Sequence, residues 1–152
     1  MKTLPSKPSE LVELAIWDLK AIEQNPNYLI DMDSWHVSDI RQPKCWVCLA
    51  GAVMAQSLDI QPDMTVKPWD PIFDEDDSTK NKLEALDSFR SGDIYNGITH
   101  MCPEFDTTEK ADELLEKMGD DANIYVPEYD ESKESFYKGM EKVLGILKEH
   151  DL

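Results

Sequence analysis

Residues 45–55 read CWVCLAGAVMA and contain no charged residue, in a chain that is 31% charged. A helix with one exposed side shows polar residues every three or four positions, so a run without them should be covered on every face. The run is too short to cross a bilayer, which needs about 20 apolar residues, and its length would also suit a buried strand. Its alanines and Gly51 favour a helix, because Ala is the strongest helix former and small side chains let neighbouring helices approach closely. We therefore predict a buried central helix over about residues 44–57, with other helices packed around it.

The sequence on both sides of this run has the periodicity of amphipathic helices. The final segment is the clearest, with Phe136, Met140, Val143 and Leu147 on one face at helical spacing. Helices are predicted over residues 7–24, 79–90, 93–98, 108–118 and 132–149, and short extended pieces over 28–32, 64–66 and 123–126. Residues 37–44 read as a polar connection. The expected fold is mainly α, a single domain of five or six helices with at most a small hairpin or sheet.

Residues 59–77 interrupt the helical pattern and are expected to form an irregular acidic loop. Three prolines within the segment exclude a continuous helix. Trp69 and Phe73 are expected to pin the loop onto the core, and consecutive acids follow at residues 74–77.

The charge balance restricts the partners that this chain can bind. Lys and Arg number 15 against 32 Asp and Glu, a net charge of -17. Nucleic acid and anionic membranes repel such a surface, whereas cations and basic protein surfaces are attracted to it. The three cysteines cannot form a closed disulfide framework, and the N-terminal residues lack an apolar signal core. These features predict a cytoplasmic protein that contacts neither nucleic acid nor membrane directly.

The carboxylates are concentrated in two regions, residues 59–77 and 103–134. Lys67 is the only basic residue in the first region, and acids far outnumber lysines in the second. If both regions lie on one side, they form a band with the sign and rough density of a phosphate backbone. Such a band can act as a nucleic-acid mimic in the basic groove of a nucleic-acid enzyme, or bind a basic patch on another host protein. An ordinary solvated acidic face is the alternative. Trp69 or Tyr129 would be the aromatic anchor of a partner. The candidate partner-binding residues are Asp74, Glu75, Asp76, Asp77, Asp120, Asp121, Glu128, Asp130 and Glu131.

The cysteines and histidines allow other chemistry. Cys45 and Cys48 with His100 and Cys102 would supply four zinc ligands, and the first two alone could be a redox dithiol with a pKa lowered at a helix N-terminus. His36 with Cys45 or Cys48 could form a nucleophile pair. No calcium loop, phosphate-binding glycine loop or nucleophile elbow is present. We predict no catalytic residue, resident metal or cofactor, and we keep a small zinc or thiol protein as the alternative.

Three sequence runs carry a resemblance to a known family. They are W-H at residues 35–36, C-x-V-C-L-A-G-A-V-M-A at 45–55 and K-L-x-A-L-D-x-F-R-x-G-D at 82–93. In these runs the chain resembles a family of small bacteriophage proteins of uncharacterised role, over about its middle third. The resemblance implies no activity by itself. It implies a context, the host cytoplasm, in which small acidic phage proteins often bind and disable a host nuclease, defence complex or protease. Self-association of the chain into a homo-oligomer is a further possibility.

Overall fold

A computed structural model of the chain describes residues 3–39, 41, 44–73 and 78–152. Within these residues the fold is mainly α, as predicted, with six α-helices, two short 3-10 helices and one small sheet. The helices are α1 (Pro8–Glu23), α2 (Leu49–Gln56), α3 (Ser78–Arg90), α4 (Ile94–Met101), α5 (Thr108–Met118) and α6 (Lys133–Glu149). The strands are β1 (Tyr28–Ile30), β2 (His36–Asp39) and β3 (Lys44–Val47), and the 3-10 helices are η1 (Pro103–Phe105) and η2 (Gly119–Ala122).

The uncharged run at residues 45–55 is divided between a strand and a helix, so the prediction of a helix from residue 44 is wrong. Lys44–Val47 is β3, the central strand of a sheet with the order β1-β3-β2. It pairs in parallel with β1, Tyr28 opposite Cys45, and antiparallel with β2, His36 opposite Val47. Of the predicted polar connection at 37–44, residues 37–39 belong to β2 and Lys44 to β3, which pair antiparallel. The two strands that pair with β3 lie outside the run. The periodicity of the run alone therefore did not indicate a strand.

The apolar half of the run forms α2, whose residues from Leu49 to Met54 are all buried. The helix packs on α1, α3, β2 and β3. Gly51 is required here, because a Cβ at this position would overlap the carbonyl oxygen of Trp35. The arrangement of all the other helices around α2 stays a prediction.

Local capping chemistry sets the helix boundaries close to the predicted positions. Asp93, Thr107 and Ser132 accept hydrogen bonds from the backbone N–H groups of the first turns of α4, α5 and α6. Gly119 ends α5 with a φ of 56°, a conformation that favours glycine.

The described part of the acidic loop, residues 59–73, is irregular apart from one bridge between His36 and Val66. Phe73 is buried and packs edge-on against Trp35, with ring centroids 6.4 Å apart, as predicted for a pinning residue. Trp69 is 77% exposed, so its prediction as a second pinning residue is wrong.

Candidate binding surface

The acids Glu128, Asp130 and Glu131 lie on the segment that joins η2 to α6. The segment begins on the turn between α3 and α4, where the backbone N–H of Ile124 donates to the carbonyl of Gly92 at 2.9 Å. Gly92 has a φ of 85°, and a Cβ there would overlap the carbonyl oxygen of Ile124. The start of this segment therefore lies directly against the turn, which fixes the position of the segment relative to α3.

Tyr129 holds the middle of the segment against α1 and α6. Its ring packs edge-on against Phe136, with centroids 5.5 Å apart, and its hydroxyl donates to Glu23 Oε2 at 2.5 Å. Burial and then the Glu23 carboxylate raise the pKa of Tyr129, so the hydroxyl stays a donor at neutral pH. Lys133 Nζ lies 3.1 Å from the same carboxylate, whose side chain is only 9% exposed. The contacts of Tyr129 therefore hold in place the backbone that bears the neighbouring acids.

A pocket of about 400 Å³ opens beside this segment. Its wall combines carboxylates with aromatic and apolar side chains, namely Asp33, Glu128, Asp130 and Glu131 with Met32, Tyr125, Tyr129 and Phe136. Tyr125 is 77% exposed at this position. Carboxylates beside an exposed aromatic ring suit a guanidinium or ammonium group, which binds the acids by charge and the ring face by a cation–π contact.

Arg90 also lines the pocket, but a carboxylate of α3 lies close to it. Arg90 Nε lies 3.5 Å from Asp87 Oδ1, and the other oxygen of Asp87 accepts from Trp35 Nε1 at 2.8 Å. Burial raises the pKa of Asp87, while Trp35 and Arg90 act against that shift. Four carboxylates line the pocket against the one guanidinium of Arg90, so the charge of the pocket lining is set by its acids.

Of the other predicted partner-binding acids, Asp120 and Asp121 are not part of this pocket wall. Asp120 and Asp121 lie in η2, where Asp121 Oδ2 is 3.1 Å from His150 Nε2. Asp74, Glu75, Asp76 and Asp77 lie outside the described residues. The structure thus groups three of the nine predicted acids, and adds Asp33 to them.

Tyr125 is the binding candidate that the sequence analysis missed. The extended piece 123–126 was predicted, and alternation along it leaves Tyr125 exposed between half-buried Ile124 and buried Val126. That alternation was the available signal. Tyr129, a predicted anchor, is instead half-buried and engaged with Glu23, whereas Trp69 is exposed enough to contact a partner.

The four residues of the zinc alternative are not brought together. Among the residues that the structure describes, no group of three or more His, Cys, Asp and Glu side chains is arranged to hold a metal ion. Cys48 Sγ faces the carbonyl oxygen of Trp35 at 4.0 Å, and His100 Nε2 lies 2.8 Å from Glu84. Burial raises the pKa of Cys48 to about 12, which is opposite to the lowering expected at a helix N-terminus.

The structure does bring Cys45 and His36 together, but as neutral groups. Cys45 Sγ lies 3.4 Å from His36 Nδ1, which also lies 2.7 Å from the carbonyl oxygen of Met64. Burial raises the pKa of Cys45 to about 11 and lowers the pKa of His36. A thiolate–imidazolium pair would need the opposite shifts, so the arrangement does not suit nucleophilic catalysis.

Comparison with known proteins gives no match: no family model, no curated protein and no solved structure is significantly similar to this chain. In the described ranges, no helix has both the length and the apolar character needed to cross a membrane.

Proposed function

We propose that this chain is a non-enzymatic, phage-type inhibitor that binds a basic surface of a host protein in the host cytoplasm. The observation that carries the proposal is the pocket formed by Glu128, Asp130 and Glu131 next to exposed Tyr125. The net charge of -17 supports the same kind of partner. The partner would be a nuclease, a defence complex or a protease, in line with the resemblance to small phage proteins.

The pocket suits an Arg or Lys side chain projecting from such a partner. Its carboxylates accept charge-assisted hydrogen bonds, and Tyr125 offers an aromatic face with few rotatable bonds to immobilise. In this proposal the helices are arranged around α2, which leaves their outer faces free to carry the acids. Long-range attraction accelerates association, so binding should weaken as salt is added.

A charge-reversal experiment tests the assignment of the surface. The test variant carries Glu128→Lys, Asp130→Lys and Glu131→Lys. The matched control reverses Glu109, Asp112 and Glu116, which are exposed on α5. Both variants change the net charge equally, so they separate the pocket from the total charge.

The partner is first captured from bacterial lysate on the wild-type protein at low salt and identified by mass spectrometry. Its affinity is then measured by calorimetry for each variant, after circular dichroism has shown that the variants are folded. We expect the pocket variant to bind roughly 100-fold more weakly or worse, and the α5 control to lose less than about tenfold. Equal affinities of the two variants would show that the pocket is not the binding surface.

A competition experiment addresses nucleic-acid mimicry. If the captured partner binds DNA or RNA, its natural duplex should displace the inhibitor, because both would occupy one basic groove. Simultaneous binding of duplex and inhibitor would exclude mimicry and leave a separate basic patch as the docking site.

A further inference from the structure

A second surface differs from the acidic pocket in both shape and charge. It is a groove of about 280 Å³ between α1 and α6, with Ile16, Trp17 and Leu144 as its apolar residues. Trp17 is 69% exposed, although Trp side chains gain more than most from burial. At this volume the groove has room for an approaching aromatic ring.

The charges around this groove are balanced. Glu13 and Glu141 line it together with Lys20 and Lys148, and Lys148 Nζ lies 3.8 Å from Glu13. Two acids and two bases give no net charge, in a chain whose total is -17. A strongly basic partner would gain little from such a face, since the acidic pocket offers it more.

We propose that this face is a two-fold interface between two copies of the chain, with Trp17 of each copy seated in the groove of the other. A two-fold interface needs a self-complementary patch: when one residue of the first copy contacts another residue of the second copy, the same two residues make the reciprocal contact. A patch with equal numbers of acids and lysines beside an apolar centre satisfies that requirement. Elsewhere the two copies repel each other, and salt screens that repulsion.

Salt should therefore strengthen self-association, which is opposite to its effect on binding of a basic host protein. Sedimentation velocity is measured from about 1 to 200 µM protein at about 50 mM and 500 mM NaCl. We expect a shift from the 17.4 kDa monomer towards twice that mass, at lower protein concentration in the higher salt.

Two pairs of variants locate the interface. Trp17→Ala should raise the dimer dissociation constant by about tenfold or more, while Trp69→Ala, which truncates an even more exposed loop Trp, should leave it unchanged. Lys148→Glu should weaken the dimer, while Lys142→Glu, an exposed position of α6 outside the groove, changes the net charge equally and should have little effect. Lys148→Glu keeps the test valid even if Trp17→Ala disturbs folding.

Three results would overturn this proposal. They are a monomer across the whole concentration range at both salts, dissociation by Trp69→Ala as complete as by Trp17→Ala, and equal weakening by the two lysine variants. None of them bears on the acidic pocket, because host-protein binding is measured separately.

Discussion

Replacing Asp18 by Asn should stabilise the protein at neutral and alkaline pH. Asp18 lies on α1 with only 8% exposure, and its Oδ2 accepts a hydrogen bond from Ser57 Oγ at 2.6 Å. Burial disfavours the charged form and raises the pKa of Asp18 from 3.8 to about 6, against the lowering effect of the Ser57 hydrogen bond. Asn has nearly the same shape and its amide oxygen can accept the same hydrogen bond, so the substitution removes mainly the buried charge.

The magnitude follows from the pKa shift. Between pH 3.8 and about 6, the folded protein holds the Asp18 proton more tightly than the unfolded chain does. The contribution of Asp18 to stability is therefore complete below pH 3.8 and is lost as the pH rises through about 6. At about 1.4 kcal/mol per pKa unit, the ionised carboxylate lowers the free energy of unfolding by about 3 kcal/mol. At about pH 5 the loss is roughly half of that.

Urea unfolding at about pH 5 and pH 8 measures this effect in the wild type, in Asp18→Asn and in the control Asp112→Asn. Asp112 is exposed on α5, so its replacement reports only the relief of general repulsion in a chain of charge -17. We expect Asp18→Asn to gain about 3 kcal/mol at pH 8 and roughly 1.5 kcal/mol at pH 5, and the control to gain a few tenths at both. Equal gains for the two variants, or a gain for Asp18→Asn that does not change with pH, would refute the argument from desolvation.

Three further predictions concern the core. Gly51→Ala should lower the free energy of unfolding by roughly 3 kcal/mol or prevent folding, because the new methyl overlaps a backbone carbonyl. Gly145→Ala, in open space on α6, should raise the free energy of unfolding by up to about 1 kcal/mol. Thermal melts of both variants check this prediction, and similar melting temperatures would contradict it. Burial lowers the pKa of His36 below 6.5, so its stabilising contribution is complete above that pH and is lost as the pH falls further. The test uses the Asp18→Asn background, so that Asp18 does not add its own pH dependence. There, His36→Gln should remove the loss of stability at low pH, while the exposed-site control His100→Gln should retain it, as measured by urea unfolding between about pH 5 and pH 8. The three buried thiols should react with a thiol reagent such as DTNB only as the protein unfolds, because burial raises their pKa values to about 11 and 12; rapid labelling of the native protein would contradict that placement.

The helices and their ends could be predicted because the interactions that define them lie within a few residues. Asp93, Thr107 and Ser132 each satisfy a backbone N–H three residues further on, and such contacts are written directly in the sequence. The same holds for the apolar stripe of α6 and for the burial of Leu49 to Met54 within the uncharged run. The acidic character of the surface follows from composition alone.

The strand at residues 44–47 and both surfaces depend on contacts between distant parts of the chain. Lys44–Val47 is extended because β1 and β2 supply its hydrogen bonds on both sides, whereas its apolar character suits strand and helix alike. The acidic pocket combines residues near 33, 90 and 125–136, and the groove at Trp17 combines α1 with α6. Sequence by itself determined the helices on either side of residues 44–47, which residues are apolar and how much charge the protein carries. Only the tertiary structure decided which acids share a pocket and which tryptophans remain exposed, because these depend on packing between segments that no local pattern encodes.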